Sequence, residues 1–294
     1  MVDAQSLTKD LGGTWYRRYG AAPCPVCQAA RTKRQNALTI ADGRNGRLML
    51  NCKKSSCAFT DILAAAGLHL GAYSPPDPAK MARRDAEHLR DAEKRARQAH
   101  SLWDEARPIT ESLADTYLRG RGITCDLPAT LRLHPACWHS PTAKRYPAMI
   151  ALVQGGANFS VHRTYLRADG AGKADNHPSK MMLGTTAGGA VRLTSCAGPL
   201  LVAEGIETAL SLACGLLRGP ATIWAALSTS GLRSLNLPPT PERLILAADG
   251  EAAGRDAANA LASKASALGW RVSMLPAPEG RDWNDILNLK GDAA

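Results

Sequence analysis

The chain has 294 residues, 45% of them hydrophobic and 5% aromatic, which allows two or three domains with real cores. Its net charge of +10 asks for an anionic partner, with nucleic acid the first candidate. Residues 1–13 are polar and lack an apolar signal core, and no apolar run approaches the roughly 20 residues of a membrane span. The chain therefore reads as cytosolic, where its eight cysteines argue for metal ligation or core filling rather than disulfides.

Cysteine chemistry comes first along the chain. Cys24-Pro25-Val26-Cys27 and Cys52-Lys53-Lys54-Ser55-Ser56-Cys57 are two close pairs separated by a stretch predicted to form a hairpin. Thr39–Ile40 and Arg47–Leu50 are its strands and residues 42–46 its turn. Tetrahedral zinc needs four soft ligands, and two such pairs supply all four, which makes the site structural. Between the first and last cysteine stand Arg31, Lys33, Arg34, Arg44, Arg47, Lys53 and Lys54 against Asp42 alone. Such a ribbon can track a phosphate backbone, and Arg34, Lys53 and Lys54 are its candidate template contacts. Cys125, Cys137, Cys196 and Cys214 are scattered and read as core or incidental.

Tyr73–Pro78 punctuates the chain as a linker. Ala79–Arg107, rich in Ala, Arg, Asp and Glu, reads as a long solvated helix. Ala148–Val153 and Asn158–Leu166 form a predicted hairpin around Gln154-Gly155-Gly156, feeding a Gly-, Lys- and Asn-rich loop over 168–180. From Gly198 short apolar runs alternate with helical patterns. Leu200–Ala203, Thr222–Ala226, Leu244–Ala248 and Val272–Leu275 are predicted strands; Ile206–Leu217 and Ala253–Leu268 are predicted helices. This alternation implies βαβ units and a parallel sheet.

The acidic residues fall on that pattern. Glu204-Gly205 ends one apolar strand, Asp249-Gly250-Glu251 ends another, and Asp282 and Asp285 lie in a loop after a further strand. Ligands of open parallel sheets bind beyond the carboxyl ends of the strands, so these acids converge on one edge. Mg²⁺ or Mn²⁺ would relieve their mutual repulsion, and hard oxygen ligands suit both ions. Gly205 and Gly250 allow the tight turns; Gly254 allows close packing of the following helix.

With these residues in place, the chain resembles the Toprim family, and in particular DnaG-type primases borne by bacteria, plasmids and phages. The family's Glu after the first strand and later Asp-x-Asp pair fall on Glu204 and on Asp249 with Glu251. Residues 204–211, 249–258 and 282–285 look like its motifs. Upstream, Cys24–Cys57 is similar to the primase zinc ribbon, Tyr117–Ile123 looks like the opening of the primase polymerase core, and His162-Arg163 with Lys180–Gly184 resembles the core's basic segment. The resemblance implies a mixed α/β fold: a zinc-ribbon DNA-binding domain over 1–72, a charged linker helix over 73–108, the first part of the core over 109–197 and a Toprim catalytic domain over 198–294. It implies RNA primer synthesis on single-stranded DNA from ribonucleoside triphosphates, with a replicative helicase as partner. It makes Glu204, Asp249 and Glu251 catalytic, adds Asp282 to them as Mg²⁺ ligands, and gives Arg163 and Lys180 contacts to template or nucleotide. Two positions depart from the pattern: Glu251 replaces the second aspartate, and Thr208 stands where primases often carry a carboxylate, with Glu207 one position earlier and roughly 100° away around a helix. Nothing resembling the family's helicase-binding domain follows Leu289. A non-catalytic zinc and Toprim DNA-binding protein and a Toprim nuclease are the rival readings.

Overall fold

A computed structural model describes residues 2–16, 18–28, 36–43, 47–69, 71, 73–75 and 77–291. Arg31, Lys33, Arg34, Arg44, the centre of the 42–46 turn and Pro76 lie outside them. The chain forms two compact units, residues 1–90 and 91–294.

In the first unit, α1 (Ala4–Asp10) is capped by Asp3, whose carboxylate accepts from the Ser6 N–H at 2.7 Å. Four antiparallel strands follow in spatial order, β1 (Thr14–Tyr16), β2 (Tyr19–Ala22), β3 (Leu38–Asp42) and β4 (Leu48–Cys52), and then α2 (Phe59–Ala65). The predicted hairpin is β3–β4, pairing Leu38 with Cys52. Alternation along β3 buries Leu38 and Ile40, which pack with Leu7 and Ile62. The charged helix is α3 (Pro78–Glu105), and the boundary between the units falls within it. No helix of the described residues is long and apolar enough to cross a membrane.

The second unit contains two sheets. The first is antiparallel, ordered β5 (Arg107–Pro108), β6 (Leu131–His139), β7 (Lys144–Val153), β8 (Ser160–Tyr165) and β9 (Lys180–Leu183), with α4 (Leu113–Arg119) between β5 and β6. The predicted hairpin is β7–β8. The strand β6 was not predicted, because Pro135 interrupts its run; the register shift between His134 and Cys137 accommodates it.

The second sheet has the order β10-β12-β11-β13-β14, formed by β10 (Val191–Arg192), β11 (Leu200–Ala203), β12 (Thr222–Ala225), β13 (Arg243–Ala247) and β14 (Arg271–Met274). It is parallel except for β10, which runs against β12. Every residue of β11 is buried, as expected of a central strand covered on both faces. One face shares a core with the antiparallel sheet through Met149, Ala151, Leu201, Ile206 and Leu210. On the other, Leu200, Val202, Leu244 and Leu246 pack on α7 (Ala252–Ala267) through Ala257, Ala258 and Leu261. The helix predicted over 206–217 is shorter: α5 covers Ile206–Ser211, and a π turn over Leu212–Leu216 breaks at Gly215, whose φ is 97°. Completing the unit are α6 (Thr229–Ser234) and α8 (Trp283–Gly291).

Candidate functional site

The acidic edge arises from strand register. Ala203 lies beside Ala247 in the parallel pair β11–β13, so Glu204 and Asp249, one and two residues further on, emerge at the same end of the sheet. The turn after β13 is held against residues 278–281: the Gly250 N–H donates to Arg281 O at 2.8 Å. A side chain at Gly250 would place its Cβ 1.9 Å from Pro278 O, so only glycine fits. Beneath the site, a Cβ at Gly254 would lie 3.4 Å from Glu204 Oε2 and 3.7 Å from Asp249 Cβ. Gly254 thus packs against both carboxylate residues.

Electrostatics give the same grouping. Burial, then the charges of Glu204 and Asp282, push the Asp249 carboxyl up to about 6, against a hydrogen bond from Thr208 Oγ1 at 3.3 Å and the pull of Lys180. Glu204 is raised by burial and by Glu251. Among the described residues none of the four carboxylates is ion-paired, and Lys180, whose charge reaches Glu204 and Asp249, bonds Glu207 instead at 3.1 Å. Glu251 is exposed at the N-cap position of α7 and makes no capping bond. The acids feel one another, yet they do not converge at ligand distance. Among the described residues the only group of three or more His, Cys, Asp or Glu side chains that does so is the four-cysteine cluster.

Asp282 ends the loop, as expected, but Asp285 lies in the first turn of α8. Together they cap the start of α8: Asp282 Oδ1 accepts from the Asn284 and Asp285 N–H groups at 2.8 and 2.9 Å, and Asp285 Oδ2 accepts from the Asp282 N–H at 2.9 Å. One Asp282 oxygen is thereby committed to the helix. Between them Asn284, fully buried, donates to Arg121 O and Ser211 Oγ at 2.8 and 2.9 Å.

Arg163 and Lys180, expected to act together, lie on opposite faces of their sheet. Thr164 pairs with Lys180, so Lys180 shares the face of Thr164 and His162, and Arg163 points the other way. There Arg163 is 8% exposed, donates to Met182 O at 3.1 Å and lies 5.8 Å from the Tyr165 ring centroid. Its guanidinium nitrogens bond backbone carbonyls on that face, so Arg163 and Lys180 do not reach one phosphate side by side. On the Lys180 face stands a group that the sequence noted only as the carboxylate one position before Thr208. Glu207, 4% exposed, bonds Lys180, Lys173 at 3.5 Å and the Tyr117 hydroxyl at 2.8 Å. Its position in the first turn of α5 was legible; its partners, 27 to 90 residues away, were not.

In the first unit, Cys24, Cys27, Cys52 and Cys57 bring their Sγ atoms within 4.8 Å of one another, with Cys27 and Cys52 3.6 Å apart. A tetrahedron with metal–sulfur bonds of about 2.3 Å has edges of about 3.8 Å, so the cluster fits zinc. Burial raises the Cys52 thiol, but backbone N–H groups of Ser55, Cys57 and Lys54 outweigh it and bring the thiol to about 6; burial and the neighbouring thiols push Cys57 up to about 12. Lys53 and Lys54, inside the second pair, are exposed.

Residues 199–293 match the Toprim domain family, and residues 93–193 match a family described as Domain of unknown function (DUF7146). No curated protein matches the chain. Among solved structures it is similar to a DNA primase domain from Pseudomonas aeruginosa, at 19% identity over 67% of this chain and 75% of that one, with a TM-score of 0.39. It is similar to the zinc-binding and RNA polymerase domains of the Aquifex aeolicus primase, at 12% identity over 98% and 79% of the two chains, with a TM-score of 0.42. A third likeness is to the RNA polymerase domain of Mycobacterium tuberculosis primase DnaG in complex with double-stranded DNA, at 17% identity over 66% and 75%, with a TM-score of 0.37. Residues 199–293 are thus a Toprim domain, and the acids lie at the carboxyl edge of its parallel strands.

Proposed function

We propose that this chain is a DNA primase of the DnaG type, making short RNA primers on single-stranded DNA by divalent-metal-dependent nucleotidyl transfer. The observation that carries the reading is that Glu204 and Asp249 emerge at one strand edge of a Toprim domain, raised by burial and by neighbouring carboxylates and, among the described residues, without an ion-paired cation. Oxygen donors in that number suit Mg²⁺ or Mn²⁺. Glu204, Asp249 and the unconstrained Glu251 would hold the ion, with the second oxygen of Asp282 beside them. Bound there, the metal would lower the pKa of the attacking hydroxyl and neutralise charge on the phosphoryl oxygens.

The chain's own residues do the rest. Thr208 orients Asp249 through its hydroxyl. Lys180 supplies fixed positive charge where a triphosphate would lie. In the first unit zinc would fasten the ribbon, whose exposed Lys53 and Lys54 would follow template phosphates. Arg163 takes no part in this scheme.

The test is primer synthesis on single-stranded DNA with labelled ribonucleotides, with and without Mg²⁺, comparing wild type with Asp249→Ala. Product that requires Mg²⁺ and falls on the order of a hundredfold or more in the variant supports the reading. Metal-dependent loss of DNA without added ribonucleotides would make the protein a nuclease. DNA binding without incorporation would make it a non-catalytic binder.

A further inference from the structure

A buried carboxylate needs one cation for neutrality, and Glu207 has two. Lys180 and Lys173 reach it at 3.1 and 3.5 Å, and Tyr117, itself 2% exposed, donates a third bond at 2.8 Å. The tyrosine and both lysines belong to residues 93–193, and Glu207 belongs to the Toprim domain. The cluster therefore fastens the cations of one region against the acidic edge of the other, three residues after Glu204. Burial keeps the neighbouring His162 neutral, with a pKa near 4, and Arg121 adds a further cation beside Tyr117 and Lys173, so the cluster carries more positive charge than Glu207 cancels.

The surplus charge is not hidden. The Lys180 and Lys173 side chains remain 38% and 32% exposed while their partner is almost wholly enclosed. The Glu207 Oε2 that Lys180 bonds lies 3.7 Å from where a Cβ on Gly205 would stand, which puts the lysine beside the turn that carries Glu204. A buried ion pair contributes little net stability compared with an apolar replacement. What it does supply is geometry, because it fixes two long, flexible stems before any ligand arrives and so reduces the ordering cost of binding.

We propose that Glu207 is a positioning residue of the nucleotide site: its buried carboxylate presets Lys180 and Lys173 as a two-cation clamp for the phosphate chain that accompanies the metal at the Toprim edge. The inference rests on the primase reading for the identity of the ligand, but not for the clamp itself. Glu207 touches neither substrate nor metal; it acts through the two lysines.

The experiment is a calorimetric titration of the full chain with inorganic tripolyphosphate in the presence of Mg²⁺, with Mg²⁺ alone as the parallel titration and Tm recorded for each protein. Wild type should bind tripolyphosphate. Glu207→Gln, which can still accept from Tyr117, should bind it about tenfold more weakly with its affinity for Mg²⁺ alone unchanged, and Glu207→Asp, which keeps the charge, should recover part of the loss. Tyr117→Phe, which removes only the third bond, should stay within about twofold of wild type. Folded Glu207→Gln with undiminished tripolyphosphate affinity, or Tyr117→Phe as impaired as Glu207→Gln, overturns the inference and leaves Glu207 a structural strut. Should Glu207→Gln fail to fold, Lys173→Met carries the test: weaker tripolyphosphate binding at unchanged Tm supports the clamp, and unchanged binding overturns it. A wild type that binds tripolyphosphate and makes no primer sinks the primase reading and leaves the clamp standing; one that makes primer without binding tripolyphosphate does the reverse.

Discussion

The four-cysteine cluster and the acidic edge are two answers to the problem of holding a cation. The thiols of Cys24, Cys27, Cys52 and Cys57 already stand within ligand distance of one another, set by a β-hairpin and two tight loops, and they fill every position of a tetrahedron. The carboxylates of Glu204, Asp249, Glu251 and Asp282 share one field but not one centre, and Asp282 spends an oxygen on capping α8. The first arrangement is closed and fits a permanent structural ion. The second is not closed by its own side chains, as an ion that takes part in chemistry requires.

The largest effect should come from emptying the closed site. A structural zinc contributes on the order of 10–16 kcal/mol to folding, comparable to or above the roughly 5–15 kcal/mol stability of a whole domain. Cys52→Ala, or a strong chelator, should therefore unfold residues 1–90 while the second unit keeps its own melting transition. Limited proteolysis with mass spectrometry reads this directly, and a first unit that stays protected in both treatments would break the contrast. Emptying the open site should act on chemistry, not on fold: Glu204→Gln should reduce primer synthesis on the order of a hundredfold with Tm at or above the wild-type value, because it removes one of several repelling charges.

The same contrast explains how much could be read from sequence. The cysteines were legible because their spacing is local, and the strands of the Toprim sheet were legible because burial on both faces leaves continuous apolar runs such as Leu200–Ala203. Register is not local. The sequence cannot say that Thr164 pairs with Lys180, and without that pairing Arg163 and Lys180 look alike, although one is turned into the protein and the other toward Glu207. Asp282 shows a second limit: an aspartate two residues before an asparagine suits a metal edge and a helix N-cap equally well, and only the hydrogen bonds distinguish them. Pro135 hid β6, because a bulge excuses a proline only once the partner strand is known.

A smaller effect tests whether the open site is as finely set as the closed one. Gly254→Ala adds a methyl 3.3 Å from Asp249 O and 3.4 Å from Glu204 Oε2, tight enough to move the carboxylate by a few tenths of an ångström. The same change favours the helix α7 by up to about 1 kcal/mol. Calorimetry should therefore find Mg²⁺ binding weakened about three- to tenfold in a protein whose Tm is unchanged or higher. Equal affinity would mean that the acids tolerate displacement and that the open site has no fixed geometry to lose.

The smallest effect isolates the strain of leaving the acids without their ion. Asp249 is held up to about 6 by burial, by Glu204 and by Asp282, against an ordinary aspartate value of 3.8. Its proton is bound more tightly in the folded state than in the unfolded one, so this group favours folding below about pH 4 and ceases to as pH rises through 6. Asp249→Asn cannot ionise and escapes that loss. In metal-free protein the variant should melt a few degrees above wild type at pH 8, with the gap narrowing as pH falls through 6 and closing near pH 4. Saturating Mg²⁺ should reverse the order at pH 8, because the ion stabilises only the protein that retains its ligand. A gap that does not depend on pH would mean that Asp249 ionises freely where it stands, and the edge would then be an ordinary solvated surface with no more claim to a cation than any other group of acids.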